Sequence, residues 1–336
     1  MSNIEDYQSE LSFLNKHSNN SIMISTTSKH ALKYRILPRR VIFDNALSCF
    51  MINDTGILRE ILTYFDGKVN SIYVDVEQKQ DINLFKIARD LVKNSQLIAV
   101  KPNDTTLESC DLLIRHQLND DLYNKNVIVV GTGNLASKIA VRLAERQANV
   151  FIKGRTTSKE NALIDGLNLF LPKNTALISS LTQVNSKLKA DVIISFLSGP
   201  LAEEDILLSF ITDKTIIIDG GINNFSSNFI QRMLSDNINI SRLDTRIALP
   251  YQMLSKADYT RMFFNEIYGQ NDFKGVKVAS GGYIGAEGTV IVDNIKSPRQ
   301  LIGIADGRGG VKKNEQLTET ERNRLQKIKQ IVSELN

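Results

Sequence analysis

Residues 126–138 read Asn-Val-Ile-Val-Val-Gly-Thr-Gly-Asn-Leu-Ala-Ser-Lys. An apolar run stops at Gly131, and a helical pattern starts with Ala136 in its first turn. Glycine at the first position, Gly131, permits a tight turn, and Gly133 lets backbone approach a pyrophosphate. The small Ala136 permits close helix–strand packing. Thr132, Gly133, Asn134 and Leu135 lie where a helix N-terminus offers free N–H groups and the positive end of its dipole. The next strand follows at residues 148–153 (ANVFIK), the context this motif needs. The alternative is a tight turn in a sheet that binds nothing.

The end of that second strand selects the nucleotide. An NAD site carries Asp or Glu there for the ribose hydroxyls. This chain reads Lys153-Gly154-Arg155-Thr156-Thr157-Ser158-Lys159, with no acid before Glu160. Arg155 can pair with a 2′-phosphate, and Thr156 and Lys159 can donate to it. The expected cofactor is NADP. The bland reading is a basic surface loop.

Outward from this core, short β-branched runs alternate with amphipathic stretches, which predicts an α/β fold with mostly parallel sheets. Strands are expected at 21–25, 71–76 and 97–101, with helices near 55–65 and 82–93 between them. Six more are expected at 126–130, 149–152, 176–179, 191–195, 215–219 and 237–240. Helices near 135–146 and 203–211 complete a Rossmann-type doubly wound sheet. Residues 274–288 are glycine-rich, and strands are expected at 289–294 and 301–305. Thr318-x-x-Glu321 reads as a capping box opening a helix with Leu325, Ile328, Val332 and Leu335 on one face. The expected domains are an α/β substrate domain over 1–120, an NADP-binding Rossmann domain over 121–295, and a strand and helix over 296–336 packing back on the first.

The chain has 336 residues and a formal net charge of +4, too weak over this length to argue for nucleic acid or membrane. Two cysteines, Cys49 and Cys110, make no disulfide framework. Their apolar neighbours suggest core residues. Three histidines, His17, His30 and His116, stand at no metal-ligand spacing, so no metal is expected. The polar, acidic start is unlike a signal peptide, and no apolar run reaches membrane-span length. The expectation is a reduced, cytoplasmic protein with a small-molecule substrate, assembled as a homodimer.

The segment 126–138 resembles the strand–loop–helix of the NADP-dependent methylenetetrahydrofolate dehydrogenase/cyclohydrolase family, which usually has Arg-Ser where Thr132-Gly133 stands. Looser resemblance extends to the shikimate dehydrogenase and methylene-tetrahydromethanopterin dehydrogenase families, built on the same two-domain plan. GRTTS at 154–158 resembles the 2′-phosphate loop. ADVIISFLSGP at 190–200, with Ser198, resembles the fourth strand and its loop. TIIIDGGIN at 215–223, with Gly220 and Gly221, is similar to the fifth strand and turn. Gly281-Gly282-Tyr283-Ile284-Gly285 resembles the segment closing over nicotinamide and substrate. Thr26-x-x-Lys29-x-x-x-Lys33 matches the spacing of a Ser-x-x-Tyr-x-x-x-Lys motif, which puts Lys33 on the catalytic lysine and Lys29 on the tyrosine. Asp75, in VNSIYVDVEQ at 69–78, stands where that family has glutamine.

The resemblance implies a substrate cleft at the carboxyl ends of first-domain strands. Thr26, Lys29 and Lys33 would share a helical face, where two lysines lower each other's pKa. The alternative is a solvated basic helix. Asp75 lies among apolar neighbours and would pair with Lys33 or Lys29, or hydrogen-bond a pterin-like ring. Lys101 and Asp104, in KPNDTT at 101–106, resemble both the Asn-Thr-Asp segment of shikimate dehydrogenases and the Asn-Thr-Thr segment of the methanopterin enzymes. Asp104 or Thr105 could equally be an N-cap. The functional reading is an NADP-dependent oxidoreductase, first of the methylenetetrahydrofolate type. The alternatives are a shikimate- or amino-acid-type dehydrogenase working through Lys101 and Asp104, and a nucleotide-binding regulatory protein without catalysis.

Overall fold

The computed structural model describes residues 4–27, 33–185 and 187–335. It divides into two compact units, Met1–Pro250 and Tyr251–Asn336. The first unit holds two sheets.

The first sheet is built from α1 (Ile4–Leu14), β1 (Asn19–Ser25), β2 (Tyr34–Ile42), β3 (Asn45–Ile52), α2 (Thr55–Phe65), β4 (Ser71–Asp75), α3 (Leu84–Leu91) and β5 (Gln96–Val100). Its strand order is β2-β3-β1-β4-β5, with β2 alone antiparallel. Its interior strands are near-continuous apolar runs because both faces are covered. Ile22, Ile24, Phe50, Ile72 and Val74 pack with Leu58, Ile61, Leu62 and Phe65 of α2. Asp54 caps α2 by accepting from the Ile57 N–H at 3.0 Å. All five residues of β4 are buried, which carries Asp75 inside with its neighbours.

The helical face expected over residues 26–33 is not found where the chain is described. Thr26 follows β1, and Lys33 leads directly into β2. Lys29 and His30 lie outside the described residues. The β2–β3 hairpin escaped the sequence reading because Pro38, Arg39 and Arg40 interrupt its alternation, where the register slips between Leu37 and Arg40.

Helix α4 (Pro102–Gln117) leads into the second sheet: β6 (Asn126–Val130), α5 (Asn134–Glu145), β7 (Asn149–Lys153), α6 (Thr157–Asn168), β8 (Ser179–Ser180), β9 (Val192–Ser195), α7 (Asp205–Leu208), β10 (Ile216–Asp219), α8 (Ser227–Ser235) and β11 (Asn239–Arg242). The order β11-β10-β9-β6-β7-β8 is parallel throughout. It reverses between β6 and β9, and such a switch point opens a crevice at the carboxyl ends of the strands. The helix expected over 203–211 is only α7. A short helix α9 (Leu249–Leu254) carries the chain across the division at Pro250.

The second unit contains α10 (Asp258–Met262), β12 (Gly269–Phe273), β13 (Val276–Ser280), β14 (Val290–Val292), β15 (Leu301–Ile304) and α11 (Glu319–Leu335). Among the described residues its strands pair only with one another, in the order β12-β13-β14-β15. Helix α11 lays Leu325, Ile328, Ile331 and Val332 over Val276, Val278, Val290 and Ile304. The capping box forms: the Thr318 N–H donates to Glu321 Oε2 at 2.9 Å, and the Glu321 N–H donates to Thr318 Oγ1 at 3.3 Å. The compact division at Pro250 thus differs from the boundary read at 295. The strands β12–β15 form a sheet of their own, and the nucleotide-type sheet closes with β11. Among the described residues no helix is long and apolar enough to cross a membrane.

Candidate nucleotide and substrate site

The loop after β6 has the geometry its glycines suggest. Gly131 has φ +131°, and a Cβ there would lie 2.6 Å from the Phe196 carbonyl oxygen. Its N–H donates to Lys153 O at 2.8 Å, tying β6 to β7. Gly133 is the N-cap of α5, and no side chain caps that helix end. Gly133 and Asn134 are exposed, Thr132 and Leu135 half-buried, and Ala136 fully buried against the sheet. An uncapped first turn facing open space is suited to an anion.

At the end of β7, Arg155, Thr156, Thr157, Ser158 and Lys159 are all exposed. The nearby acid, Glu160, turns inward and is 1% exposed. Its Oε2 accepts from the Gly154 N–H at 2.5 Å, and its Oε1 accepts from the Ser180 hydroxyl.

The loops after β9 and β10 are joined by Asn224, which is fully buried. Its Oδ1 accepts from the Leu197 N–H at 3.0 Å and the Ser195 hydroxyl at 2.9 Å. Its Nδ2 donates to the carbonyls of Leu197 and Gly199, each at 3.0 Å. Asp219 accepts from the N–H groups of Gly221 and Asn224. Gly220 and Gly221 therefore pack tightly between Phe196 and Asn224, and Ser198 is exposed beside them. Ile222 and Asn223 both have φ +60°. That conformation is strained for a β-branched residue, and such strain gathers at functional turns.

The first sheet contributes a row of charges. Asp75, 2% exposed at the end of β4, accepts from the Glu77 N–H at 2.7 Å, the Thr26 N–H at 3.4 Å and Lys79 Nζ at 3.0 Å. Lys79 Nζ also lies 3.0 Å from Glu77 Oε2. That carboxylate accepts the Asn103 N–H at 2.8 Å, in the first turn of α4. Lys101 Nζ then meets Asp104 Oδ2 at 2.7 Å, and Lys138 Nζ meets Asp104 Oδ1 at 3.5 Å. Burial opposes ionisation of Asp104, but Lys101 and Lys138 hold its carboxyl below the usual range. The hydrogen bond to Asp104 raises Lys101 above the usual lysine range. Lys138 stands on α5, the helix opened by the dinucleotide loop, so the row runs from β4 to the nucleotide layer.

Lys33 is outside this row. Its side chain is 82% exposed and its ammonium lies 3.7 Å from Asp54. The lysine on Asp75 is Lys79, not Lys33. Sequence reasoning missed Lys79, Glu77, Lys138 and Asn224. The available signal was Lys79 four residues beyond an acid that closes an apolar strand. The segment 281–285 belongs to the second unit, where Gly281, Gly282, Tyr283 and Ile284 help line a cavity of about 280 Å³. Both cysteines are buried, as their neighbours suggested.

The family described as shikimate / quinate 5-dehydrogenase matches residues 113–208, which run from the C-terminal end of α4 through β6, α5, β7, α6, β8 and β9 to the end of α7. Sheet order, loop and matched segment define the class: an α/β chain with a parallel, doubly wound sheet of the dinucleotide-binding type, similar over residues 113–208 to that dehydrogenase family. Among solved structures, the A chain of dipicolinate synthase from Bacillus subtilis is 16% identical, with 73% of this chain and 78% of that one covered at a TM-score of 0.37. A shikimate dehydrogenase in complex with NADP+ is 14% identical, covering 72% and 91% at 0.44. L-tryptophan dehydrogenase from Nostoc punctiforme is 14% identical, covering 73% and 78% at 0.43. Likeness at this level transfers no residue role. No curated protein matches the chain.

Proposed function

We propose that the chain exchanges hydride between NADP and a small polar substrate of the shikimate or amino-acid type. When bound, NADP would supply the hydride-transfer chemistry. Gly131, Thr132, Gly133, Asn134 and Leu135 hold the pyrophosphate, and Arg155, Thr156 and Lys159 take the 2′-phosphate. Ser198, Gly220 and Gly221 border the nicotinamide end. Lys79 donates to a substrate oxygen: its ammonium carries three N–H groups, hydrogen-bonds Asp75 and pairs with Glu77, each at 3.0 Å. Lys101 and Asp104 complete the substrate side.

The observation that carries this reading is the 3.5 Å pairing of Lys138 with Asp104, which brings the charged row of the first sheet to the nucleotide helix. A dehydrogenase needs such polar groups within reach of its cofactor. The methylenetetrahydrofolate reading relied on Lys33, and the pairing of Asp75 with Lys79 favours the shikimate or amino-acid reading. The test is reduction of NADP+ with shikimate, quinate, L-amino acids and methylenetetrahydrofolate in turn. Turnover with a hydroxy acid or amino acid supports the proposal. NADPH binding without turnover of any of them favours a regulatory nucleotide-binding protein. The reading includes a homodimer, which sedimentation velocity checks.

A further inference from the structure

We infer that Glu160 is a positioning residue for the choice between NADPH and NADH. The inference rests on the NADP reading and adds the device that sets it. Glu160 holds the 2′-phosphate loop in shape while keeping its own carboxylate out of that site.

Three observations carry this. First, the carboxylate is drawn fully inside, 1% exposed, with Oε2 on the Gly154 N–H at 2.5 Å and Oε1 on the Ser180 hydroxyl. Ser180 is itself fixed by the Thr182 hydroxyl at 2.6 Å and the Thr182 N–H at 3.2 Å. An acid so engaged is not offered to ribose hydroxyls, and swinging it out would leave the buried Gly154 N–H without its acceptor and take the carboxylate from the Ser180 hydroxyl.

Second, the anchored atoms adjoin the phosphate-facing residues in the chain. Gly154 precedes Arg155, and Lys159 precedes Glu160. The Glu160 N–H donates to Thr156 O at 3.0 Å, closing the first turn of α6. One side chain thus pins both ends of the exposed segment 155–159.

Third, the anchor reaches the dinucleotide loop. A Cβ on Gly154 would lie 2.7 Å from Thr132 Cγ2 and 3.1 Å from Glu160 Cβ. Gly154 is wedged between the two phosphate-binding segments, and Glu160 forms the other wall of the wedge. No acid stands at the end of β7, and Glu160, in the first turn of α6, is folded beneath the loop.

The experiment titrates NADPH and NADH separately into wild type, Glu160→Ala and Glu160→Gln, with thermal melting of each. The Gln oxygen can accept from Gly154, and its amide can donate to Ser180 Oγ. Glu160→Ala is expected to weaken NADPH about tenfold, the loss of an anchored charge-assisted contact, and NADH much less. Glu160→Gln is expected to keep the wild-type ratio. A merely structural role lowers melting temperature and both affinities together, leaving the ratio unmoved, and overturns the inference. So does a ratio that rises because NADH alone weakens, since the acid would then hold ribose hydroxyls. If Glu160→Ala does not fold, Ser180→Ala replaces it, with a smaller fall in the ratio expected and an unchanged ratio overturning the inference. Equal affinities in the wild type overturn the NADP reading itself. A wild-type preference that survives unchanged in Glu160→Ala overturns the Glu160 inference alone.

Discussion

Arg146, the C-cap of α5, grips the fully buried carboxylate of Asp111 on α4 with two hydrogen bonds, Nε to Oδ1 at 2.8 Å and Nη2 to Oδ2 at 2.7 Å. Arg142 stands one turn earlier, 2.6 Å from Glu108 and 3.9 Å from Asp111. Lys138 on Asp104 is the next rung. This ladder locks the helix leaving the first sheet to the helix opened by the dinucleotide loop. Arg146→Met should destabilise the protein by about 2–3 kcal/mol, below the full cost of breaking a buried pair because the guanidinium is partly exposed. Asp111→Leu combined with Arg146→Met should recover much of that loss, since no buried charge remains. Urea unfolding of the single and double variants measures it. A double variant no more stable than the single one would show that the pair does more than neutralise a buried acid.

Lys79→Met should lower turnover by roughly 10²–10⁴-fold, the range for a positioned proton-transfer or polarising group, and leave NADPH binding nearly intact. Lys33→Ala should change turnover little, because its ammonium is exposed and faces Asp54. Steady-state kinetics on the first substrate found separates the two. The reverse ranking would restore Lys33 as the working lysine.

The nucleotide half was legible because buried parallel strands write themselves as apolar runs. Residues 126–130, 192–195 and 216–218 are buried almost without exception. The hairpin of β2 and β3 was hidden because β2 is an edge strand, carrying Arg39 and Arg40 outward beside Pro38. Asp75 could be singled out as an acid inside an apolar strand, but its partner could not. Lys79 lies in the polar run EQKQD, where nothing in the sequence says which cation turns back over the strand end. Asn224 was obscured in the same way, since the glycines before it drew attention to the turn and not to the side chain that staples it.

The two glycines of the dinucleotide loop should respond differently to the same substitution. Gly131→Val meets both the φ of +131° and the Phe196 carbonyl, so the fold itself should suffer. At Gly133 the φ is −92° and nothing lies within 4 Å of an added Cβ. Gly133→Val should therefore stay folded and lose NADPH, the branched side chain taking the space of the pyrophosphate. Circular dichroism with NADPH titration decides it. A folded Gly133→Val with wild-type affinity would remove this loop from the site.

Neither thiol should react in the native protein at neutral pH. Burial pushes the Cys49 thiol up to about 11, and burial, then the adjacent Asp111, raises Cys110 further. Alkylation by iodoacetamide should be slow in buffer and complete in denaturant. Rapid loss of one thiol in buffer would place that cysteine at an accessible, activated site.

Asp66 should give a measurable acid limb to stability. It ends α2 and collects the N–H groups of Lys93 at 3.0 Å, Asn94 at 2.9 Å and Ser95 at 2.8 Å, so one carboxylate ties the loop after α2 to the loop before β5. Partial burial pulls its pKa up, but these donors outweigh it and hold the carboxyl below its ordinary 3.8. A depressed native pKa means that the unfolded chain binds the proton first. The stabilisation is therefore whole above the ordinary value and is lost as the pH falls below it through the native value. Asp66→Asn keeps the volume and removes the charge, so the variant should be less stable than wild type at neutral pH. The difference should shrink only on the acid side of 3.8. Other carboxylates titrate in both proteins and cancel in the comparison. Urea midpoints of the pair along a pH series provide the measurement. A gap that stays constant into acid would mean that hydrogen-bond geometry, and not the charge of Asp66, holds the two loops together.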